Sequence, residues 1–186
     1  MLLADLIEAN HARSYITAAP GPAAVVASTP SVIDLYAELT TVADALAQEG
    51  VDYALCGALA LAVHGAPRAT RDLDLLARKT DAAKVRAAVR RCGYTFEALP
   101  MEFSSGVEVQ RFSKLIDQRP LMLDFLWAEG ALEPIWARRQ RLRWREGDIW
   151  VVSRDDLITL KLTAGRPQDL VDIQSLAKLE GRRDKT

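Results

Sequence analysis

The chain has 186 residues, of which 49% are hydrophobic and 26% charged, enough apolar material for one domain with a sizeable core and too little length for two full domains. Its 24 basic and 25 acidic residues leave a net charge of −1, so no overall field attracts nucleic acid or an anionic membrane, and any polyanion site must be local. Two cysteines, Cys56 and Cys92, are too few for a disulfide framework or a four-ligand zinc site.

The sequence contains no recognisable membrane or export signal. Asp5, Glu8 and Arg13 interrupt the first 19 residues, whereas a secretory leader has a basic start followed by an apolar run. No stretch reaches the roughly 18 uninterrupted apolar residues that span a bilayer. These features predict a cytoplasmic protein with no membrane partner.

The predicted elements follow one another along a single domain. Pro20, Gly21 and Pro22 begin a composition break that lasts to Pro30 and predicts a flexible segment over residues 1–30, a domain over 31–180 and a charged tail over 181–186. Apolar spacing and capping signals predict helices at 33–46, 58–64, 81–91, 133–141, 153–164 and 168–179. Alternating or short apolar runs predict strands at 53–56, 71–76, 94–98, 107–112, 121–126 and 149–152. The pattern indicates a mixed α/β domain.

Three aspartates are the strongest sign of chemistry. Asp72 and Asp74 are two residues apart on a predicted strand, so both side chains leave the same face of the sheet. Two carboxylates that close repel each other unless a cation lies between them, and a hard divalent ion with oxygen ligands is the usual solution. Asp124 lies alone in an almost wholly apolar strand, where burial without a cation or an arginine is costly. The pattern predicts one or two Mg²⁺ ions on Asp72, Asp74 and Asp124.

Upstream, a strand turns into a helix at Cys56, Gly57 and Ala58. Glycine lets the backbone approach a ligand closely, and the free N–H groups at a helix start attract phosphate. A phosphate-binding turn beside a metal site favours chemistry on a phosphate ester.

In combination these motifs resemble the polymerase β-type nucleotidyltransferase superfamily, and in particular its small abortive-infection (AbiEii-like) toxin branch. The resemblance is carried by Gly57-Ala58, by the segment from Arg68 to Asp74 and by Asp124 on a later strand. It continues through residues 155–162 and 166–173, which look like the closing helices of that branch, and covers Tyr53 to Leu179. It implies a nucleotidyltransferase fold, with a mixed twisted sheet flanked by helices and C-terminal helices.

The resemblance also implies an activity and its residues. The enzyme would bind a nucleoside triphosphate (NTP) with Mg²⁺, two ions being expected, and transfer the nucleotidyl group to a hydroxyl. Asp72 and Asp74 would bind metal, and Asp124 would complete the site and help to deprotonate the acceptor. Gly57 and Ala58 would contact the phosphates, although Ala58 lacks the hydroxyl of the usual Gly-Ser and leaves that contact to the backbone.

The predicted site has four further candidate residues, three of them in the closing helices. Lys161 would reach the triphosphate as a point charge, or else extend from a packed helix face. Arg68 is assigned to the nucleotide site, where it binds phosphate or pairs with Asp72 and Asp74. Asp169 and Asp172 are expected to pair with Arg166 at the surface.

The acceptor is left open by the sequence. An RNA hydroxyl, for example at the acceptor end of tRNA, or a protein hydroxyl suits a toxin that is paired with an antitoxin. The alternatives are an antibiotic nucleotidyltransferase that acts on a small drug and a nucleotide-binding module without turnover. A cluster of arginines flanked by Trp136 and Trp144 fits either an RNA-binding surface, with contacts to phosphates and stacked bases, or an ordinary solvated surface. Its members are Arg138, Arg139, Arg141, Arg143 and Arg145.

Overall fold

The structure is a computed structural model that describes residues 33–145 and 147–183, with side chains as far as Leu179. Its helices are α1 (Leu35–Gln48), α2 (Gly57–Val63), α3 (Ala82–Arg91), α4 (Glu133–Ala137), α5 (Arg154–Ala164) and α6 (Pro167–Arg183), with short 3-10 turns at Lys79–Asp81 and Gly130–Leu132. Its strands are β1 (Tyr53–Leu55), β2 (Asp72–Ala77), β3 (Phe96–Glu97), β4 (Met101–Glu102), β5 (Glu108–Ile116), β6 (Arg119–Trp127), β7 (Gln140–Trp144) and β8 (Gly147–Val151).

The described strands form one mixed sheet in the order β3-β5-β6-β2-β1-β8-β7, with β4 paired to β5. Strand β2 lies at the centre, parallel to β6 and antiparallel to β1. The fold is therefore the mixed, twisted, open sheet with flanking helices that the sequence predicts. Because β2 lies between β6 and β1, a side chain on it can meet groups from both neighbours.

One face of the central strands forms the core. Leu73 and Leu75 of β2 are fully buried and are paired in register with Leu123 and Phe125 of β6. Side chains alternate across a strand, so these four point to one face, where they join buried residues of α1 and α3 in a single apolar cluster. The intervening aspartates must then emerge on the other face.

The hairpin of β7 and β8 corrects one predicted element. The helix predicted over 133–141 ends at Ala137, and residues 140–144 form strand β7 instead. In this segment Leu142 and Trp144 alternate with exposed arginines, a period-2 pattern that suits a strand at the edge of a sheet. Pairing with β8 favours the strand over the helix for this segment, because it places Leu142 opposite the buried Ile149.

The structure describes only part of the regions where the predicted domain begins and ends. Residues 1–30, predicted as a flexible segment, lie outside the described residues, while α6 continues to Arg183 and so enters the predicted tail. None of the helices that the structure describes combines the length and the apolar character needed to cross a membrane.

Candidate active site

The three predicted carboxylates meet on the face of the sheet opposite the core. Asp74 of β2 lies directly beside Asp124 of β6, and Asp72 lies beside Met122. Residues paired in register on neighbouring strands send their side chains to the same face. Asp124 is only 7% exposed. The structure therefore brings together the aspartates that the sequence singles out.

Gly57 brings the strand-to-helix turn against the same carboxylates. Its φ angle is +59°, and a Cβ atom placed on it would lie 1.9 Å from Oδ2 of Asp74. The backbone N–H of Cys56 donates to the carbonyl oxygen of Asp74 over 2.9 Å. Only glycine satisfies both the left-handed backbone and the contact, so the turn and the acidic strand form one site.

Burial and like charges dominate the electrostatics of Asp74. Burial raises its pKa, and the neighbouring carboxylates of Asp124 and Asp72 raise it further, to about 6, while Arg166 and Lys161 lower it. The pKa of the Cys56 thiol is also raised, first by burial and then by Asp74 and Asp124. The site thus carries excess negative charge, which a bound cation would relieve.

An arginine that the sequence does not single out completes this cluster. Arg111 of β5 lies opposite Asp124 in the antiparallel β5–β6 pair. Its Nε and Nη2 atoms donate to the two carboxylate oxygens of Asp124 over 2.8 and 2.7 Å. An apolar strand carrying one acid predicts a cation partner of some kind, but only the register of β5 on β6 identifies which residue supplies it.

Lys161 and four neighbours form a buried ion network between α5 and α6. Lys161 Nζ donates to Asp172 over 2.6 Å and to Asp169 over 3.4 Å, while Arg166 pairs with Asp169 over 2.7 Å and Arg68 pairs with Asp172 over 2.8 Å. The predicted pairing with Arg166 is confirmed for Asp169 and wrong for Asp172, which pairs with Lys161 and Arg68 instead. The predicted surface location is also wrong, because both aspartates are at most 2% exposed. The predicted pairing of Arg68 with Asp72 and Asp74 is replaced by the contact with Asp172.

This network adds positive charge next to the carboxylates. Three cations, Lys161, Arg166 and Arg68, share two aspartates, which leaves one formal positive charge. The charges of Arg166 and Lys161 both lower the pKa of Asp74, so the network acts electrostatically on the carboxylate site. The role predicted for Lys161 towards the triphosphate stays a prediction, as does the phosphate contact of Arg68.

Two of the three aspartates offer ligands that suit a divalent cation. Asp72 and Asp74 supply hard oxygen atoms on one face, next to a backbone turn that leaves no room for a side chain. Mg²⁺ is commonly held by one or two carboxylates together with water and substrate phosphates, so this pair fits it. In the part of the chain that the structure describes, no group of three or more acidic, histidine or cysteine side chains is arranged around a metal position. The shared role of Asp124 in metal binding stays a prediction.

The arginine cluster divides into a fixed part and an exposed part. Three of its members are tied to the domain by a salt bridge or a ring contact: Arg138 to Asp156, Arg139 to Trp136 and Arg145 to Tyr36. The side chains of Arg141 and Arg143 are 63% and 72% exposed and share the single carboxylate of Asp148. Trp150 lies opposite Arg141 in the hairpin and is 37% exposed. The outer face of β7–β8 is therefore basic and partly aromatic.

The comparison with known families defines the class of this protein, which is a nucleotidyltransferase. The sequence model of the family described as the nucleotidyl transferase AbiEii toxin of type IV toxin–antitoxin systems matches residues 42–186. The chain belongs to the AbiEii family. No curated protein sequence matches it.

Solved structures of other nucleotidyltransferases share the fold at low sequence identity. The lincosamide antibiotic adenylyltransferase LnuA with bound lincomycin is 17% identical, with a TM-score of 0.54 over 76% of this chain and 95% of that chain. A Thermotoga maritima protein assigned as a nucleotidyltransferase is 16% identical, with a TM-score of 0.55 over 82% and 94%. ANT(2")-Ia in complex with adenylyl-2"-tobramycin is 14% identical, with a TM-score of 0.57 over 82% and 92%.

Proposed function

We propose that this enzyme is a cytoplasmic toxin that transfers a nucleoside monophosphate from an NTP to a hydroxyl of RNA, with the acceptor end of tRNA as the first candidate. One observation carries the proposal: the Gly57 turn packs so tightly on Asp74 that a Cβ atom would overlap the carboxylate. A phosphate-binding backbone and a metal-binding acid in direct contact are what a metal-bound triphosphate requires.

Each residue of the site has a role in this reaction. Asp72 and Asp74 would hold a divalent cation, Mg²⁺ in the cell, which would neutralise charge on the triphosphate. The backbone at Gly57 and Ala58 contacts the phosphates. Lys161 contributes positive charge on the side of the site that faces α5, while Arg68 holds Asp172 and thereby positions Lys161.

The transfer itself is an in-line displacement. The acceptor oxygen attacks the α-phosphorus, the bond from that phosphorus to the bridging oxygen breaks, and pyrophosphate leaves. The hydroxyl proton goes to a carboxylate of the site, the role that the family resemblance gives to Asp124. Because this chemistry depends on positioning and charge, loss of one metal-binding carboxylate should remove activity without unfolding the protein.

Two observations favour RNA as the acceptor and a toxin as the biological role. The family is described as the toxin of type IV toxin–antitoxin systems, which also points to an antitoxin as a functional partner. The outer face of the β7–β8 hairpin presents Arg141, Arg143 and Trp150 to solvent. Exposed arginines contact phosphates, and an exposed ring offers a surface on which a base can stack.

A small hydroxylated drug is the second candidate acceptor. Two of the structural neighbours are complexes with a lincosamide and with an adenylylated aminoglycoside. Their sequence identity to this chain is 14–17%, so they support the fold and leave the acceptor to experiment.

One labelling experiment separates these functions. The purified protein is incubated with Mg²⁺ and each α-³²P-labelled NTP in the presence of total RNA, lysate protein, or a panel of aminoglycosides and lincosamides. We expect label on RNA, none with Asp74→Asn, and the same circular dichroism spectrum for both proteins. Label on the drugs alone would establish the second candidate, and label on protein would replace RNA as the acceptor. No label on any acceptor would indicate a nucleotide-binding module without turnover.

A further inference from the structure

Arg111 binds Asp124, the carboxylate beside which a second metal ion would be expected. Its guanidinium donates to both oxygens of Asp124 in the forked geometry that arginine and carboxylate share. A cation bound to Asp124 would compete with these hydrogen bonds and would be repelled by the positive charge of the guanidinium. The Asp124 side chain is only 9% exposed and that of Arg111 is 30% exposed, so the pair is largely shielded from water, which strengthens it.

The charge of Arg111 acts on the whole acidic cluster. The hydrogen bonds to Asp124 raise the pKa of Arg111 most, and the charges of Asp124, Asp72 and Asp74 raise it further. The positive charge of Arg111 therefore acts on all three carboxylates. Both hydrogen bonds of the guanidinium go to Asp124, so Asp72 and Asp74 remain as the carboxylates proposed to hold a cation.

We infer that the carboxylate site takes a single divalent cation, on Asp72 and Asp74, and that Arg111 takes the place of the second cation beside Asp124. The inference rests on the proposed function, since it specifies the metal content of the same site. It departs from the two ions that the family resemblance implies.

The number of bound ions can be counted with Mn²⁺ alone, independently of any activity. Electron paramagnetic resonance of the protein titrated with Mn²⁺ gives the number of ions bound per chain. It also shows whether two ions couple, as they would at the roughly 3.5–4 Å typical of two-metal sites. We expect one uncoupled ion for the wild type and a second, coupled ion for Arg111→Gln, which removes the charge and frees Asp124. Arg111→Lys keeps the charge and should bind one ion.

A neutral double variant tests the same point without exposing an unpaired charge. Arg111→Gln combined with Asp124→Asn removes one charge of each sign, so a cation held by Asp72 and Asp74 should bind with wild-type stoichiometry. Loss of the ion in this variant would show that Asp124 is a ligand and would overturn the inference, as would two ions in the wild type or one in Arg111→Gln. If thermal unfolding shows that Arg111→Gln does not fold, the ion counts of the double variant and of Arg111→Lys test the inference instead.

The outcomes also separate the inference from the proposed function. Two ions in the wild type would overturn the single-ion site and leave the proposed nucleotidyl transfer intact. No ion in the wild type, with or without an equivalent of α,β-methylene-ATP, would overturn both. Asp74→Asn should lose the ion in every case.

Discussion

Gly57 is the residue at which backbone conformation and site chemistry depend on each other most directly. Its φ of +59° is one that side-chain-bearing residues rarely adopt, and the space where a Cβ atom would lie is filled by the Asp74 carboxylate. Gly50 has nearly the same conformation, with φ of +64°, but a Cβ atom there would meet nothing within 4 Å. Substituting each glycine by alanine therefore distinguishes two effects: the energetic cost of a left-handed backbone, which both variants have, and the clash with Asp74, which only the Gly57 variant has.

We expect Gly57→Ala to reduce activity by roughly 10²-fold or more, because Asp74 must move by more than 1 Å to make room and a misplacement of that size has a cost of this order. Gly50→Ala should lose only about 1–2 kcal/mol of stability, the usual cost of a left-handed residue with a side chain, and keep its activity. Initial rates of nucleotide transfer and urea unfolding curves measure both effects. Equal activity in the two variants would show that the contact with Asp74 is unimportant.

At the scale of elements, strand pairing sets how much of the site the sequence can predict. Asp72 and Asp74 share a face because side chains alternate along any strand, and this local rule needs no knowledge of the fold. Asp74 and Asp124 lie side by side because β2 pairs with β6 in one particular register. That register is predicted from the sequence only through the family resemblance. Arg111 requires a third strand in register, and nothing in its local sequence marks it.

The sequence predicts the capped helices and most strands, whereas two features that depend on tertiary contacts escape it. Ser153 caps α5 by accepting from the backbone N–H of Asp156, as the sequence predicts. Strand β7 is one of them, because its residues gain their conformation from the contact with β8. The burial of Asp169 and Asp172 is the other, since the charge pattern of α6 does not show which neighbour covers it.

The α5–α6 helix pair should make the protein sensitive to acid. Burial alone would raise the pKa of Asp169, but hydrogen bonds from Arg166 and the charge of Lys161 outweigh burial and lower it. For Asp172, hydrogen bonds from Arg68, Lys161 and Gln168 likewise outweigh burial. Both carboxylates therefore bind protons less readily in the folded state than in the unfolded state.

We expect the contribution of these carboxylates to be complete above their unfolded pKa of about 3.9 and to be lost as the pH falls through their lower folded values. The free energy of unfolding should thus decrease as the pH falls below about 4. Urea unfolding at a series of pH values measures this slope. Asp172→Asn should show a shallower slope in the acid range, and an unchanged slope would mean that Asp172 does not contribute.

The β7–β8 hairpin provides the second prediction at this scale. If the outer face of the hairpin contacts RNA phosphates, Arg141→Ser with Arg143→Ser should raise the KM for RNA, leave nucleotide binding unchanged and reduce the salt slope of RNA binding by about one to two. Lys84→Ser with Arg90→Ser is the matched control, because it removes two exposed positive charges from α3. Fluorescence anisotropy with labelled RNA at several salt concentrations gives the slope. Equal losses in both variants would indicate a general charge effect and exclude the hairpin as the RNA surface.

The whole molecule combines a near-neutral chain with charges sorted into local groups. The net charge is −1, yet the carboxylates lie together on β2 and β6, cations lie beside them on α5–α6, and exposed arginines lie on β7–β8. Long-range attraction therefore contributes little, and RNA and NTP must be recognised by these local groups. Composition predicts the absence of a general field, while only the fold shows which charges become neighbours.

If the enzyme acts as a toxin through nucleotide transfer, induced expression in a bacterial host should stop growth, and Asp72→Asn at the same protein level should not. The substitution changes one partly buried carboxylate to an amide of the same size, so the fold should persist while the metal site loses a ligand. Growth curves with immunoblots measure both quantities, and sequencing of the 3′ ends of tRNA from arrested cells detects added nucleotides. Normal growth together with raised resistance to an aminoglycoside or a lincosamide would instead identify a drug-modifying enzyme, because the same site would then be acting on a small acceptor.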